Sequence, residues 1–365
     1  MNIVLLLFII AGVIQLMYYA VLMIYWNRQP VIKPALTFPK VSIVICARNE
    51  AENLEKNLPV VLQQDYPDFE VLVVNDGSED ETEEILKKNK SEISILKSIT
   101  ISPEEKIGSG KKYALQKGIQ AASGEVILLT DADCIPASAD WIKCMVRSLG
   151  EQKIVLGISP YRKESSVLNS LAEYETALTA WQYISYCHAG IPYMGVGRNL
   201  CFYKDVFLQK KWTAEEMMLP SGDDDLFIQS MSNSGNTTTC SDKNSFTYST
   251  APASWKSWFR QKKRHLATGY HYSMQHRFLL GTFLASKLIL YLSFIILLIF
   301  STVHLPAWSL LLSCLLVITA VNFVLHQKSG LNYRWYWSNI LDIVFVFSII
   351  FTGIAANFSP QRSWK

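Results

Sequence analysis

The sequence carries little charge. Only 18% of its 365 residues are Asp, Glu, Lys or Arg, whereas 50% are hydrophobic, and this is too apolar for an ordinary soluble enzyme of this length. No charged side chain occurs between Met1 and Tyr25. That stretch lacks the basic start and the short apolar core of a cleaved signal peptide, so residues 1–27 are expected to form a retained transmembrane anchor.

Cysteine pairs with the spacing of metal ligands are also missing. The seven cysteines contain no C-x-x-C pair and are odd in number, which argues against a disulfide framework and a structural zinc site. The middle of the chain is therefore expected in a reducing compartment. The net charge of +3 includes no clustered basic stripe, so no nucleic-acid partner is expected.

Long apolar runs return in residues 278–358, which predict transmembrane helices at about 279–303, 306–326 and 336–356. The segment before them, residues 256–277, is rich in aromatic and basic residues. This composition predicts an amphipathic helix that lies at the membrane interface.

The distribution of positive charge predicts a multi-pass protein whose globular middle faces the cytoplasm, at the inner membrane if the cell is bacterial. The first span is followed by an extended, basic linker with Arg28, Lys33, Lys40, Pro30, Pro34 and Pro39. The link STVHLP has no Lys or Arg, whereas HQKSGLNYR carries Lys328 and Arg334. The tail PQRSWK disagrees, since with four spans it would place Arg362 and Lys365 outside. Either the last segment re-enters the membrane or the rule fails there.

Between Val41 and about Gly157, short β-rich runs such as VSIVICA, FEVLVVN and EVILLTD alternate with amphipathic helical stretches. Such alternation predicts an α/β domain with a parallel sheet covered on both faces. Ligands of these sheets bind at the carboxyl ends of the strands, at a topological switch point. The polar stretches ARNE, NDG and TDAD all lie at those ends.

Asp131 and Asp133, in LLTDADC, follow one of these strands. Two hard oxygen ligands on a loop suit Mg²⁺ or Mn²⁺ when substrate phosphates complete the coordination. A plain turn with solvated acids is the alternative. Three other polar stretches accompany this pair. CARNEAENL, with Arg48, Asn49 and Glu50, is expected beside the same crevice, and VVNDGSEDET places Asp76 in a tight turn after a strand. SGDDDLF, with Asp223, Asp224 and Asp225, is a second acidic cluster later in the chain.

The aspartates of SGDDDLF repel one another, and this repulsion can raise the pKa of one of them and make it a usable general base. An acidic helix start is the alternative for this stretch.

Taken in order, CARNEAENL, VVNDGSED, GKKYALQKGIQAASGEVILLTDADC, SGDDDLF and RQKKRH resemble a membrane-bound glycosyltransferase of family 2, the group of hyaluronan, chitin and cellulose synthases and ceramide glucosyltransferases. The resemblance covers about residues 38–270. It implies a GT-A nucleotide-sugar-binding domain at residues 38–255, inserted between the anchor and the later spans, and an inverting single displacement.

The resemblance also implies a role for each matching residue. The turn formed by Arg48, Asn49 and Glu50, together with Asp76 and Asp131, would hold the nucleotide, and Asp133 would bind Mn²⁺ or Mg²⁺ on the diphosphate. Lys111 or Lys112 would help to hold the donor, with Lys112 preferred. The base would come from SGDDDLF: alignment on its glycine selects Asp224, counting back from Leu226 selects Asp223, and Asp224 is preferred.

The Q-x-x-R-W motif of the family appears here as Gln261 and Arg264 followed by His265 in place of tryptophan. This departure puts the sugar-stacking platform in doubt, weakens the case for a processive polymer synthase, and leaves Trp255 or Trp258 as substitutes. By the same resemblance, Arg198 and Asn199 in GVGRNLCF would contact the acceptor.

The expected function is therefore transfer from a nucleotide-sugar, preferably a UDP-sugar, to a lipid or glycan acceptor at the membrane. A processive polysaccharide synthase and a binding subunit without turnover are the alternatives. A transporter fits worst, because transport paths usually need ionisable groups at mid-depth, whereas the few in the spans, Lys287 and Asp342 among them, are expected near span ends.

Overall fold

The computed structural model describes residues 2–28, 38–106, 108, 111–300 and 305–358. The predicted linker with Pro30, Lys33 and Pro34, most of the link STVHLP, and the tail with Arg362 and Lys365 lie outside these ranges. The strands are β1 Val41–Ala47, β2 Phe69–Asn75, β3 Leu96–Thr100, β4 Val126–Asp131, β5 Ile135–Pro136, β6 Ile154–Leu156, β7 Leu200–Tyr203, β8 Thr237–Thr239 and β9 Thr247–Tyr248.

The helices are α1 Asn2–Trp26, α2 Ala51–Leu62, α3 Thr82–Glu92, α4 Lys112–Ala121, α5 Trp141–Leu149, α6 Val167–His188, α7 Lys204–Gln209, α8 Ala214–Met218, α9 Asp225–Met231, α10 Trp255–Gly269, α11 Met274–Phe300, α12 Leu305–Ser329 and α13 Ser338–Phe358. The amphipathic segment predicted at 256–277 thus ends as a helix at Gly269, and α11 begins four residues before the predicted domain limit at 278.

Seven strands form one mixed sheet in the order β3-β2-β1-β4-β7-β6-β8, and β5 pairs with β9 in a second sheet. The first four strands of this order are parallel, as predicted. Every residue of β1 is buried, because helices cover both faces of the sheet. Beyond the region for which a parallel sheet was predicted, β7 runs antiparallel to β4 and β6, so the sheet as a whole is mixed. The apolar sequence of β7, LCFY, does not indicate in which direction the strand runs.

Four helices among the described residues are long and apolar enough to cross a membrane, at Ile3–Trp26, Met274–Phe300, Trp308–Ser329 and Trp335–Ala355. The predicted arrangement of one apolar helix before the α/β domain and three after it is therefore confirmed. The end of α1 meets the end of α12, where Lys328 Nζ donates to Asn27 Oδ1 at 2.6 Å. Both ends lie on the side of the globular domain.

A polar cluster joins the apolar helices to α6, and its members are Tyr19, Tyr174, Lys287, Tyr291 and Asp342. Lys287 and Asp342 form an ion pair with side chains 1% and 0% exposed. Asp342 also accepts hydrogen bonds from Tyr174 at 2.7 Å and from Tyr291 at 2.5 Å. The expectation that Lys287 lies near a span end was wrong, since it occupies the middle of α11. Its charge is tolerated there because Asp342 neutralises it.

Candidate active site

The carboxyl ends of three parallel strands meet at one edge of the sheet. Ala47 ends β1 opposite Asn75 of β2, and Cys46 of β1 lies opposite Asp131, which ends β4. The chain changes direction of winding between β1 and β4. The predicted switch-point crevice therefore lies where TDAD, NDG and ARNE converge.

Asn49 gives the turn after β1 its shape. Its φ of 54° is left-handed, a conformation that asparagine adopts more readily than most residues. Its backbone N–H donates to Ser78 Oγ at 2.9 Å, and its Oδ1 accepts from the Glu79 N–H at 2.8 Å. The amide of Asn49 thus holds this turn against the turn after β2. Arg48 and Glu50 are half-buried beside it.

Asp76 follows the last residue of β2 and is buried, with 2% of its surface exposed. Lys106 Nζ donates to its Oδ2 at 2.5 Å. The other oxygen, Oδ1, has no hydrogen-bond partner among the described residues. A buried acceptor without a partner is costly, so this oxygen is suited to accept a hydrogen bond from a ligand.

Lys111 connects the acid at the end of β4 to the later acidic cluster. Its Nζ lies 2.7 Å from Asp131 Oδ1 and 3.2 Å from Asp223 Oδ2. Burial opposes the charge of Asp131, but Lys111, with the more distant Arg198 and Arg264, outweighs this effect and lowers the pKa of Asp131. Two acidic segments far apart in the sequence therefore share one cation.

Lys112, the preferred donor-binding lysine, has another position. It is 1% exposed, and its Nζ donates to the backbone oxygens of Leu219 at 2.8 Å and Ser221 at 2.5 Å. Burial lowers the pKa of Lys112. Its contacts fix the loop that leads into SGDDDLF, and the lysine in the crevice is Lys111, which was the open alternative.

Asp133 lies beyond Asp131 on the same turn and is half-buried. Its Oδ2 accepts a hydrogen bond from Ser249 Oγ at 2.9 Å. No group of three or more His, Cys, Asp or Glu side chains within the described ranges is arranged to hold a metal ion. A metal here would take its remaining ligands from the substrate.

The three acids of SGDDDLF differ in their partners. Asp223 is paired with Lys111, and Asp225 Oδ2 accepts from the Tyr272 hydroxyl at 2.6 Å. Among the described residues, Asp224 accepts backbone hydrogen bonds alone, from Gly197 at 2.6 Å and from Asp225 at 2.8 Å. Burial, and then the charge of Asp223, raise the pKa of Asp224 to about 6.

Gly197 brings this acid close to the donor side of the crevice. A Cβ atom at this position would lie 3.3 Å from Asp224 Oδ2 and 3.6 Å from Lys111 Nζ. The predicted base therefore lies close to Lys111 and, through this lysine, to Asp131.

Arg198 and Asn199, the two residues expected at the acceptor, have side chains in different places. The Arg198 guanidinium lies over the Tyr161 ring at 4.7 Å, and its Nη1 has no partner among the described residues. Asn199 is fully buried and bonds Trp141 Nε1, the Ile158 oxygen and the Ser245 oxygen. Its amide is therefore satisfied inside the fold, and only Arg198 lies at the crevice.

Helix α10 carries the Q-x-x-R segment. Gln261 Nε2 donates to the Tyr161 hydroxyl at 3.3 Å, the charge of Arg264 acts on Asp131, and His265 is exposed. Of the two substitutes for the missing tryptophan, Trp258 is fully buried and Trp255 is 44% exposed. Only Trp255 presents its ring for stacking.

Sequence reasoning missed four residues that shape this crevice: Lys106, Tyr161, Gly197 and Ser249. Tyr161 pairs with Ser249 in an isolated β-bridge, so its contacts with Arg198 and Gln261 link α10 to Asp133. Nothing in the sequence near Lys106, Tyr161 and Ser249 signalled a role. Gly197 belonged to a stretch already selected, but only the structure shows its contact with Asp224.

Comparison with sequence families decides the relationship. A family model described as "Glycosyl transferase family 2" matches residues 42–200, and one described as "Glycosyl transferase family group 2" matches residues 126–325, more than half of the chain. The chain belongs to glycosyltransferase family 2. It is accordingly a glycosyltransferase, as the sequence motifs predicted.

Characterised relatives match over short stretches. Glycosyltransferase AglE of Haloferax volcanii is 40% identical over 102 residues, 27% of this chain and 32% of AglE. Poly-beta-1,6-N-acetyl-D-glucosamine synthase of Staphylococcus epidermidis is 35% identical over 98 residues, 26% of this chain and 22% of the synthase. Each alignment thus spans a third or less of the relative.

Among solved structures, the mannosyltransferase PcManGT of Pyrobaculum calidifontis, in complex with GDP-Man and Mn²⁺, matches 97% of this family 2 chain and 98% of its own chain. The TM-score is 0.64 at 16% sequence identity. This likeness confirms the GT-A fold.

Proposed function

We propose that this transferase inverts the configuration of one sugar as it moves it from a nucleotide-sugar, preferably a UDP-sugar, to a hydroxyl group of a lipid or glycan at the membrane, and that it uses Mn²⁺ or Mg²⁺. One observation carries the proposal. Asp131, Lys111 and Asp223 form a continuous set of charges, and Asp224 lies beside it at Gly197.

The nucleoside would bind where the turns after β1 and β2 meet. Asp76 Oδ1 is the buried acceptor available to a base or ribose. The diphosphate would lie beside Asp131, where the cations Lys111, Arg198 and Arg264 act. Positive groups held in place stabilise the charge that develops on a leaving phosphate.

The donor set of Asp131 and Asp133 fits a hard divalent cation. Mg²⁺ is usually held by one or two carboxylates plus substrate phosphates, which agrees with two acids and no third protein ligand among the described side chains. A bound ion would neutralise the diphosphate and act as a Lewis acid. That PcManGT was solved with Mn²⁺ is a further reason to test manganese first.

Asp224 is proposed as the general base. A carboxyl with a pKa of about 6 is still ionised at pH 7 and binds a proton more tightly than an ordinary aspartate. It would take the proton of the acceptor hydroxyl while that oxygen forms its bond to the anomeric carbon. The bond from this carbon to the diphosphate oxygen breaks in the same step, and the nucleoside diphosphate leaves with the electron pair.

The acceptor is proposed to reach the crevice from the membrane side, because α10 carries Gln261 and Arg264 and is followed closely by α11. The catalytic domain is proposed to face the cytoplasm, on the positive-charge argument. A processive polysaccharide synthase is the second candidate, since one relative makes poly-N-acetylglucosamine.

Nucleotide release tests the proposal. Membranes with the full-length protein would receive Mn²⁺ and a panel of UDP- and GDP-sugars, beginning with UDP-N-acetylglucosamine and GDP-mannose. Asp133→Ala and Asp224→Asn are the test variants, and Asp205→Asn, on the exposed start of α7, is the matched control. Release with one donor that is lost only in the test variants supports the proposal.

Two other results would count against it. Donor binding without release, across lipid and glycan acceptors, would favour a binding subunit without turnover. If no donor binds at all, TDAD is not a diphosphate and metal site. Extraction of the labelled product into organic solvent, followed by sizing, separates a lipid product from a polymer.

A further inference from the structure

Three cationic side chains, Lys163, Lys243 and Arg334, lie near one another where the globular domain meets the turn between α12 and α13. A fourth, Lys328, lies on the same turn, where its Nζ donates to Asn27 Oδ1 at 2.6 Å. Lys163 follows β6, and Lys243 begins the one-turn 3₁₀ helix Lys243–Ser245. Lys328 lies at the end of α12, and Arg334 precedes α13. Basic residues in a short link between spans are common on the cytoplasmic side. That preference does not explain Lys163 and Lys243, because they belong to the globular domain.

The contact between Lys243 and Gly330 shows how closely these parts meet. Gly330 has a left-handed φ of +69°, and a Cβ atom there would lie 2.0 Å from Lys243 Cε and 2.9 Å from its Nζ. A Cβ atom would therefore have to displace the end of the lysine side chain, and the left-handed φ also favours glycine. The charges of Lys163 and Lys243 both act on the His326 imidazole, and those of Lys163 and Arg334 both act on the Glu173 carboxyl.

None of the four cations forms an ion pair within 4 Å with an acid of the described residues. Three carboxyls lie near them. Glu173 is buried, and neither of its oxygens has a hydrogen-bond partner among the described residues. Glu164 is exposed, and Asp242 accepts from the Asn244 N–H. The converging positive charges thus lack a direct counter-charge in this part of the chain.

The aromatic residues that follow place this cluster at the depth of lipid headgroups. Trp335, Tyr336 and Trp337 come directly after Arg334, and Tyr336 and Trp337 are 63% and 41% exposed. Tryptophan and tyrosine favour the boundary between hydrocarbon and water. The anions that are plentiful at that depth are lipid phosphates.

We propose that Lys163, Lys243, Lys328 and Arg334 form a binding site for the phosphate group of an anionic membrane lipid, on the side of the membrane that carries the GT-A domain. A phosphate there accepts charge-assisted hydrogen bonds from both parts of the protein. It therefore links the domain to the membrane helices. The site does not touch the catalytic crevice, and its test needs no sugar transfer.

The experiment follows thermal unfolding of the full-length protein in a neutral detergent. Dioctanoyl phosphatidylglycerol, dioctanoyl phosphatidylcholine or inorganic phosphate is added at equal concentrations. The double variant Lys243→Gln/Arg334→Gln removes one cation from each part of the site. Lys56→Gln/Lys88→Gln, on the exposed faces of α2 and α3, makes the same charge change elsewhere.

Phosphatidylglycerol is expected to raise Tm of the wild type and of the control, and the site variant should need at least about tenfold more of it. A second variant, Lys163→Gln/Lys328→Gln, should behave in the same way and decides the matter if the first one does not fold. Unchanged responses in the site variants, or an equal loss in the control, overturn the site. An equal response to inorganic phosphate overturns its assignment to a lipid.

Discussion

The ammonium group of Lys111 lies 2.7 Å from Asp131 Oδ1 and also reaches Asp223 at 3.2 Å. One side chain thereby joins the acid at the end of β4 to the acidic loop before α9. If this connection serves catalysis, the rate of transfer should depend more on Lys111 than on any other cation of the crevice.

Lys111→Met is expected to lower the rate of nucleotide release about 10²-fold or more, because a positioned charge next to the leaving diphosphate is lost. Lys117→Met, an exposed lysine on the same helix, is the control and should retain the wild-type rate. Initial rates and donor binding by calorimetry are the measurements. A Lys111→Met enzyme with full activity would show that the lysine only holds the fold.

The rate of transfer is expected to fall on the acid side of about pH 6. The folded-state pKa of Asp224 is raised to that value, and the carboxyl can accept a proton only when it is ionised, so activity is present above the pKa and is lost below it. A pH profile of kcat/KM measures this limb. An acid limb near pH 4 would assign the base to a carboxyl with an ordinary pKa.

Glu175 and Lys262 form an ion pair between α6 and α10, with side chains 11% and 10% exposed. Glu175→Gln leaves a buried ammonium without its partner, which is expected to lower the free energy of unfolding by about 3 kcal/mol. The double variant Glu175→Gln/Lys262→Met should regain part of this loss. Thermal unfolding of the two variants provides the comparison, and equal Tm values for both would contradict the pairing.

Substitutions in the cluster around Asp342 are expected to lower stability most where they leave a charge unpaired. Asp342→Asn leaves Lys287 buried and unpaired and is expected to cost about 3 to 5 kcal/mol, whereas Tyr174→Phe removes one hydrogen bond to a charged group, about 2 kcal/mol. Tyr336→Phe, at a ring that is 63% exposed, is a neutral control. In one detergent, Tm should be lowest for Asp342→Asn, intermediate for Tyr174→Phe and unchanged for Tyr336→Phe. The reversed order would show that the ion pair does not dominate the stability of this cluster.

Glu173 is expected to make stability depend on pH. Burial raises the pKa of Glu173 to about 7, and Glu164 adds to this, while Lys163 and Arg334 oppose it. Between its ordinary pKa and 7 the folded state holds a proton that the unfolded state has lost, so stability falls as pH rises through this window. Glu173→Gln should raise Tm at pH 8 and leave it nearly unchanged at pH 4, and a stabilisation that is equal at both pH values would contradict this origin.

The sequence predicted the parallel core of the sheet and the crevice because those features are periodic and local. Strand β4 ends at Asp131 as its apolar run indicates, and the turns with Asn49 and Asp76 lie beside it. The four apolar helices were found by length and composition alone. The direction of β7 could not be read, since an apolar strand fits either orientation.

The sequence did not show which groups the polar side chains contact. Lys111 and Lys112 are neighbours, yet one reaches Asp131 and the other bonds the Leu219 and Ser221 oxygens, because successive helical residues point in different directions. Asn199 lies next to Arg198 but faces the core. The lysines around Gly330 come from three separate segments, so no local pattern signals them.

Helix α10 ends at Gly269 and α11 begins at Met274. The four residues between them can extend at most about 14 Å, so if α11 spans a bilayer, as proposed, the helix that carries Gln261 and Arg264 stays close to the membrane surface. A transferase on a long tether samples acceptors throughout the surrounding solution. With its apolar helices in a bilayer, as proposed, this transferase would be held to a thin layer at the membrane surface, and an acceptor would have to present its hydroxyl within that layer.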